Sequence, residues 1–333
     1  MGRVTLQEVA EHAGVSRATA SMVLRNTGRL SQETRDRVRQ SMSELGYVYH
    51  RGAATLRTRR SGILGLLITD VSNPFFSSMT LGFEEAAATG GYMTMVTNTL
   101  DDAARQSRLA QAMLEYPVDA LAYTPVIEGP LAVRPEELPI PVLAVTRRPP
   151  DQTPYLTVDD VAAGRLAAEH LVSFHTYRRL VYLGGPKGAR PRDDRISGAR
   201  QAIRGSRTRA ELVGEFSGLV SVDEGIRLWG ELMASGLSFD AVLCHSDLIA
   251  YSVLAALRAT GRSDVGVIGF DGLAQSKVFF PPVTSVAVGP TRLGSEAAAW
   301  LLRSIEGLEV ERRIELPPHL EVRNSCGCPV GTS

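Results

Sequence analysis

TLQEVAEHAGVSRATASMVLRN, residues 5–26, holds two short helices about a turn. Leu6, Val9, Ala10 and Ala13 fall at i, i+3, i+4 and i+7 and form one apolar stripe. Thr5 and Glu8 stand at capping-box spacing, so the first helix begins there. Gly14 ends it, because glycine enters left-handed backbone at little cost. Ser16 suits the N-cap of a second helix over residues 17–25. On that helix Ala20, Val23 and Leu24 face inward, while Arg17, Ala18, Ser21, Met22 and Arg25 face out. Two helices about a small-residue turn, the second basic on its outer face, describe a DNA-reading helix-turn-helix. An ordinary helical hairpin in a core is the alternative.

Charge separates this head from the rest of the 333-residue chain. The formal net charge is zero, yet residues 1–60 hold 11 Arg against 5 Asp and Glu, a net +6 balanced by −6 elsewhere. A basic head on an acidic body points to a polyanion partner for the head alone. Lysine occurs only at Lys187 and Lys277. Length allows two or three domains with a real core. The N-terminus lacks the apolar segment of a signal peptide, and no apolar run nears the ~20 residues that span a bilayer. A cytoplasmic, nucleoid-associated protein with no membrane partner is the expectation. Three cysteines, Cys244, Cys326 and Cys328, are too few for a disulfide framework. The Cys326-Gly327-Cys328 pair is read as a reduced tail, since no His or further Cys stands near it in sequence to complete a metal site. No metal or cofactor is expected.

A third helix follows, with Ser31 as cap, Val38, Met42 and Leu45 as inner face and Gly46 as stop. The runs VTLQEVAEHAGVSRATASMVLRN, LSQETRDRVRQSMSELGY and RTRRSGILGLLITDVSNPFF, with LPPHLEVRNSC near the end, resemble the lactose-repressor/galactose-repressor family of bacterial transcription regulators. The resemblance runs through the whole chain. It implies a DNA-facing set of Thr5, Ser16, Arg17, Ala18, Thr19, Ser21, Met22 and Arg25 in the head. Arg17 can donate a bidentate pair to guanine, whereas Ala18 and Met22 can touch only apolar edges. Relatives often carry Arg at Met22 and Asn at Arg25, so operator preference does not transfer.

Residues 48–61 form the connector between a head of residues 1–47 and a body of residues 62–333. In the family this segment folds on DNA and pushes a leucine between base pairs of the minor groove. Leu56 is the matching residue, with Thr55 and Arg57 beside it. Packing of Leu56 on the body is the alternative.

From Ile63 the texture changes to short apolar strands alternating with helical stretches: residues 63–68, 93–97, 120–123, 142–145, 180–183, 241–244 and 265–270. Such runs suit parallel sheets covered on both faces, and hence doubly wound α/β lobes. The resemblance implies two lobes like those of periplasmic sugar-binding proteins: about 62–159 plus 290–318, and about 160–289. Ligands of such sheets sit beyond the carboxyl ends of the strands. The expected effector residues are Asp70, Phe75, Phe76, Thr124, Arg192, Arg195, Phe216, Asp247 and Asp271. An aromatic plane stacks on a sugar face, and Arg and Asp fix hydroxyls by charge-assisted hydrogen bonds. Phe76 is the more core-like of its pair, Asp247 could be the cap of the following helix, and Arg195 could bridge to Asp193 or Asp271. Arg190 and Arg192 suggest an acidic effector, a sugar acid or sugar phosphate; a neutral sugar or a purine are the alternatives.

No G-x-G-x-x-G, P-loop or G-x-S-x-G motif is present, and the adjacent His245-Ser246-Asp247 cannot converge as a triad. An enzyme is not expected. A transport-type sugar-binding protein would share the body but have no use for the basic head. The reading is a dimeric repressor on a near-palindromic operator, with ligand between the lobes shifting operator affinity through the connector.

Overall fold

The structure, a computed structural model, describes residues 4–24, 26–48, 60–116, 118–127 and 138–329. It divides into two compact units, Met1–Ser61 and Gly62–Ser333. In the first, α1 (Leu6–His12), α2 (Arg17–Leu24) and α3 (Gln32–Glu44) enclose Val9, Ala10, Ala13, Ala20, Val23 and Val38. The capping box forms: the Glu8 N–H donates to Thr5 Oγ1 at 3.3 Å, and the Thr5 N–H to Glu8 Oε2 at 2.6 Å. Gly14 takes φ +62° between the helices, and Ser16 Oγ accepts the Thr19 N–H at 3.0 Å. Met42 and Leu45 of the third-helix stripe are half-buried beside fully buried Val38.

The second unit contains β1 (Ile63–Ile68), α4 (Pro74–Thr89), β2 (Met93–Asn98), α5 (Ala103–Glu115), β3 (Ala120–Tyr123), β4 (Val142–Val145) and β5 (Tyr155–Val158). Then come α6 (Asp160–Glu169), β6 (Arg179–Leu183), α7 (Arg190–Gly205), β7 (Glu211–Phe216), α8 (Val222–Ala234), β8 (Ala241–Cys244), α9 (Asp247–Ala259) and β9 (Gly266–Asp271). β10 (Thr284–Ala287), α10 (Pro290–Ile305), β11 (Arg313–Leu316) and β12 (His319–Glu321) complete it. Two six-stranded sheets result, ordered β11-β5-β4-β3-β1-β2 and β12-β10-β9-β8-β6-β7. The named pairings are parallel except β12 on β10.

The sequence of β1, ILGLLI, explains its place in mid-sheet. Leu64, Leu66 and Ile68 join the cluster under α4 and α10, while Leu67 joins the opposite cluster with Ala110 and Met113 of α5. Both faces are covered, so a strand with no polar alternation is stable. Burying each such leucine contributes about 1.5–3 kcal/mol relative to exposure. Five strands went unread in the sequence: β5, β7, β10, β11 and β12. β7 (ELVGEF) and β11 (RIEL) mix charge with apolar residues because each needs only one well-buried face. β12 also carries the chain back to the second sheet, so residues 319–321 belong with the lobe of β6–β10.

The chain passes between the sheets three times: β5 into α6, β10 into α10, and β11 into β12. Each lobe holds a helix pair in backbone contact. A Cβ on Gly82 of α4 would lie 2.0 Å from Thr291 O of α10, and one on Gly294 would lie 1.9 Å from Met79 O. In the other lobe a Cβ on Gly164 of α6 would lie 1.9 Å from Arg195 O, and one on Gly198 of α7 would lie 1.9 Å from Val161 O. Only glycine permits such approach. These crossings fix the helices that carry Phe75, Phe76, Asp160 and Arg195.

Candidate functional site

A cleft lined by residues of both lobes opens where their strand ends face one another. From the first lobe, Asn73 caps α4 by accepting the Phe75 N–H at 3.0 Å, and Pro74 occupies the first turn. This start points Phe75 and Phe76 into the cleft with their rings edge to face, centroids 5.1 Å apart. Arg147, after β4, makes a forked pair with Asp101 at 2.6 and 3.0 Å and donates to Pro125 O at 2.9 Å.

From the second lobe, Arg195 donates through Nε to Asp160 Oδ1 at 2.7 Å and through Nη1 to His245 O at 2.8 Å. Its guanidinium lies 4.7 Å from the centre of the Phe270 ring. Burial pushes the Asp160 carboxyl up, with Arg195 pulling it back. Asp271, at φ +103° at the end of β9, is held well above the usual carboxylate range by burial, again against the pull of Arg195. Burial, then the charges of Arg195 and Arg192, hold the His245 imidazole well below its usual range, so the ring is neutral. The site therefore alternates acceptors and donors on both walls and offers an apolar ring pair between them.

Of the residues expected from sequence, Phe75, Phe76, Arg195 and Asp271 line this cleft, and Asp70 lines its continuation with Asn73 and Arg147. Phe76 also packs into the first-lobe core. Arg195 bridges to Asp160, not Asp193. Four expected residues lie off the lining. Arg192 folds back, its Nε donating to Gly184 O at 3.2 Å and its guanidinium 3.5 Å from Glu215. Thr124 is buried, accepting from the Thr146 hydroxyl at 3.3 Å. Phe216 packs on the second-lobe core. Asp247 is fully buried and accepts from the Leu273 N–H at 2.8 Å, the Ser276 hydroxyl at 2.7 Å and the Ser285 hydroxyl at 2.6 Å. Nor is it the helix cap, since Ser246 accepts the Ile249 N–H. Sequence reasoning missed Asp101, Asp160 and the His245 carbonyl. Asp160 was legible only as the second residue after a lobe-crossing strand.

Burial pushes Asp247 up to about 6, from an ordinary 3.8, against those three donated hydrogen bonds. A folded-state value above the unfolded one means that this group's contribution to stability is full below about pH 4 and lost as pH rises through about 6. Wild type should therefore lose about 3 kcal/mol relative to Asp247→Asn between about pH 4 and about pH 7, at about 1.4 kcal/mol per unit. Urea unfolding of both proteins across that window checks this, and a constant difference would exclude it.

In the head, Arg17 and Ala18 are exposed at the start of α2, and Thr19, Ser21 and Met22 are half-buried. The Met22 sulfur lies over Gly28, where a Cβ would stand 2.7 Å away. The hydroxyl oxygens of Thr5 and Ser16 are occupied as caps. Arg25, Thr55, Leu56 and Arg57 fall outside the described residues. The cysteine pair needs a correction. Cys326 and Cys328 are buried and meet His170 and His175, which are remote in sequence and close in space. No helix among the described residues is long and apolar enough to cross a membrane.

A helix-turn-helix head followed by two α/β lobes about a polar cleft defines a ligand-binding transcription regulator. Residues 5–49 match the bacterial regulatory proteins of the lacI family, and residues 168–326 match the periplasmic binding protein-like domain. The chain belongs to the LacI family of transcription regulators. It is 31% identical to a ribose operon repressor of Halalkalibacterium halodurans, over 96% of each chain. It is also 31% identical to the HTH-type transcriptional regulator CelR of Thermobifida fusca, over 97% of this chain and 98% of that one. Among solved structures, the lac repressor dimer bound to operator and the anti-inducer ONPF superposes with a TM-score of 0.86 at 24% identity, covering 98% of this chain and 99% of that one. A transcriptional regulator CelR–cellobiose complex superposes at 0.69 with 28% identity, covering 97% and 100%. Its relatives are regulators, and it is not an enzyme.

Proposed function

We propose that the chain is a dimeric repressor that reads a near-palindromic operator in the cytoplasm and releases or grips it according to a neutral sugar held between the lobes. The observation that carries the ligand class is the charge pattern of the cleft. Arg147 and Arg195 are each engaged by a carboxylate, Asp101 and Asp160, and Asp70 and Asp271 add further acceptors. Hydroxyls can donate to such carboxylates and accept from such guanidinium groups, whereas a sugar acid or phosphate would need a free cation and both arginines of the lining are already paired with carboxylates. Arg192 gives no support to an acidic ligand, since it is turned to Gly184 and Glu215. Ribose and cellobiose in the names of relatives favour the same class. A thermal-shift screen of neutral pentoses, hexoses and disaccharides beside sugar acids, sugar phosphates and purines tests it. A neutral sugar should raise Tm by mass action, equivalent to about 2.7 kcal/mol at 100 times Kd. Response to acids, phosphates or purines alone would refute the neutral class.

On the DNA side, exposed Arg17 is the base reader of the set, and Leu56 is the minor-groove wedge of the connector. Arg17→Ala should cost about 1–3 kcal/mol of specific binding and relax base choice at one position per half-site. Site selection from a random duplex library reads this out, and unchanged selectivity would remove Arg17 from that role.

A further inference from the structure

The tail after β12 returns to the second lobe through Ser325. Its hydroxyl is fixed on both sides, donating to Val267 O at 2.7 Å and accepting the Thr284 N–H at 2.8 Å. This anchor sets Cys326 and Cys328 against the far end of α6. Gly327 between them takes φ +96°, and a Cβ there would stand 2.8 Å from Tyr177 Oη, so the turn that brings both thiols to one side requires glycine.

The helix end facing the thiols is unusual. α6 runs into a π-helical turn, His170–Phe174, and the His175 N–H donates to His170 O at 3.3 Å. In a regular α-helix, residues five apart point about 140° from one another. The wider π turn places residues i and i+5 on one side, and such turns are rare and concentrate at functional sites. Here the paired residues are His170 and His175, and both aim Nε2 at the cysteines.

The four donor atoms cluster closely enough for one ion to meet them all. His170 Nε2 lies 3.2 Å from His175 Nε2, 3.3 Å from Cys326 Sγ and 3.7 Å from Cys328 Sγ, and His175 Nε2 lies 3.2 Å from Cys328 Sγ. All four lie within 4.8 Å of one another. Zinc bonds of ~2.3 Å to sulfur and ~2.0 Å to nitrogen put tetrahedral ligands roughly 3.3–3.8 Å apart. An outer shell is in place as well. The Thr284 hydroxyl donates to Cys326 Sγ at 3.1 Å, and Asn324 Nδ2 to Cys328 O at 3.1 Å.

We propose that His170, His175, Cys326 and Cys328 bind one zinc ion, a structural site that clamps the C-terminal tail to the end of α6. Two thiolates neutralise the dication, and an N₂S₂ tetrahedron selects zinc among the common divalent ions. Four protein ligands leave no open position, so the ion carries no chemistry of its own. Because α6 begins at Asp160 in the cleft, the clamp fixes the far end of a helix that holds the Arg195 partner.

The test uses the full chain, reduced and stripped with a chelator, then titrated with Co(II) and Zn(II). One Co(II) per chain should give the intense ligand-field bands of a tetrahedral site and thiolate-to-cobalt charge transfer. Zn(II) should displace it and raise Tm. His175→Ala, a change at a half-exposed position, and Cys328→Ser should each remove the charge-transfer spectrum or halve its thiolate intensity while unfolding stays cooperative. Octahedral cobalt without charge transfer in the folded, reduced protein would overturn the proposal. So would a His175→Ala protein with wild-type stoichiometry and spectrum, or a Cys326–Cys328 disulfide in protein freshly isolated from a reducing cytosol.

Discussion

Arg195→Ala is expected to abolish sugar binding and to destabilise the body by about 3–5 kcal/mol, the usual cost of breaking a buried ion pair from one side. The guanidinium is buried, holds Asp160 at 2.7 Å and the His245 carbonyl at 2.8 Å, and is the cation facing Asp271. Alanine leaves two buried carboxylates facing each other without it. Protonation relieves that repulsion, so their folded-state values rise further, and the penalty should shrink as pH falls and grow as pH rises. Arg195→Lys keeps a charge but not the fork that spans a carboxylate and a carbonyl, so it should recover part of the stability and little of the affinity. Urea unfolding and calorimetry with the sugar found by screening separate the two effects. Wild-type affinity in the alanine protein would remove Arg195 from the ligand site.

Gly164→Val is expected to cost at least the upper end of the ~1–3 kcal/mol typical of overpacking, and to weaken ligand binding with it. A Cβ at this position would lie 1.9 Å from the backbone oxygen of Arg195 itself, so α6 and α7 must separate, and the Asp160–Arg195 pair spans that same crossing. Rotamer changes offer no escape when the opposing atom is backbone. Gly230→Ala provides the contrast. It lies inside α8, where a Cβ meets open space, so alanine should stabilise by about 0.5–1 kcal/mol through backbone entropy alone. Thermal unfolding of the two proteins should give shifts of opposite sign. A neutral Gly164→Val would show that the helices can part without loss.

Local signals were legible in the sequence, and long-range ones were not. Thr5, Glu8, Gly14 and Ser16 act within three or four residues of one another, so caps and turns of the head could be read directly. The runs ILGLLI, ALAY and AVLC announced buried strands because both faces of each are covered. Strands with one wet face, ELVGEF and RIEL, gave no such run. In the cleft, strand ends led to Phe75, Arg195 and Asp271, which line it, but the strand-end rule cannot tell which way a side chain turns. Asp247 follows β8 as a ligand residue should, and instead ties together the segments around Leu273, Ser276 and Ser285. The cysteine pair failed for the same reason on a larger scale. Its histidine neighbours are separated from it by some 150 residues and joined to it only by the return of β12.

The most direct measurement is the affinity of the full-length protein for a duplex selected from a random library, by fluorescence anisotropy at two salt concentrations, with and without the sugar that raises its Tm. Binding should weaken steeply with salt, because phosphate contacts by the basic head release counterions. Saturating sugar should shift affinity by about 5–150-fold, a coupling of ~1–3 kcal/mol. A salt-sensitive affinity that saturating sugar leaves unchanged, or no affinity for any duplex, would contradict the coupling of cleft to head.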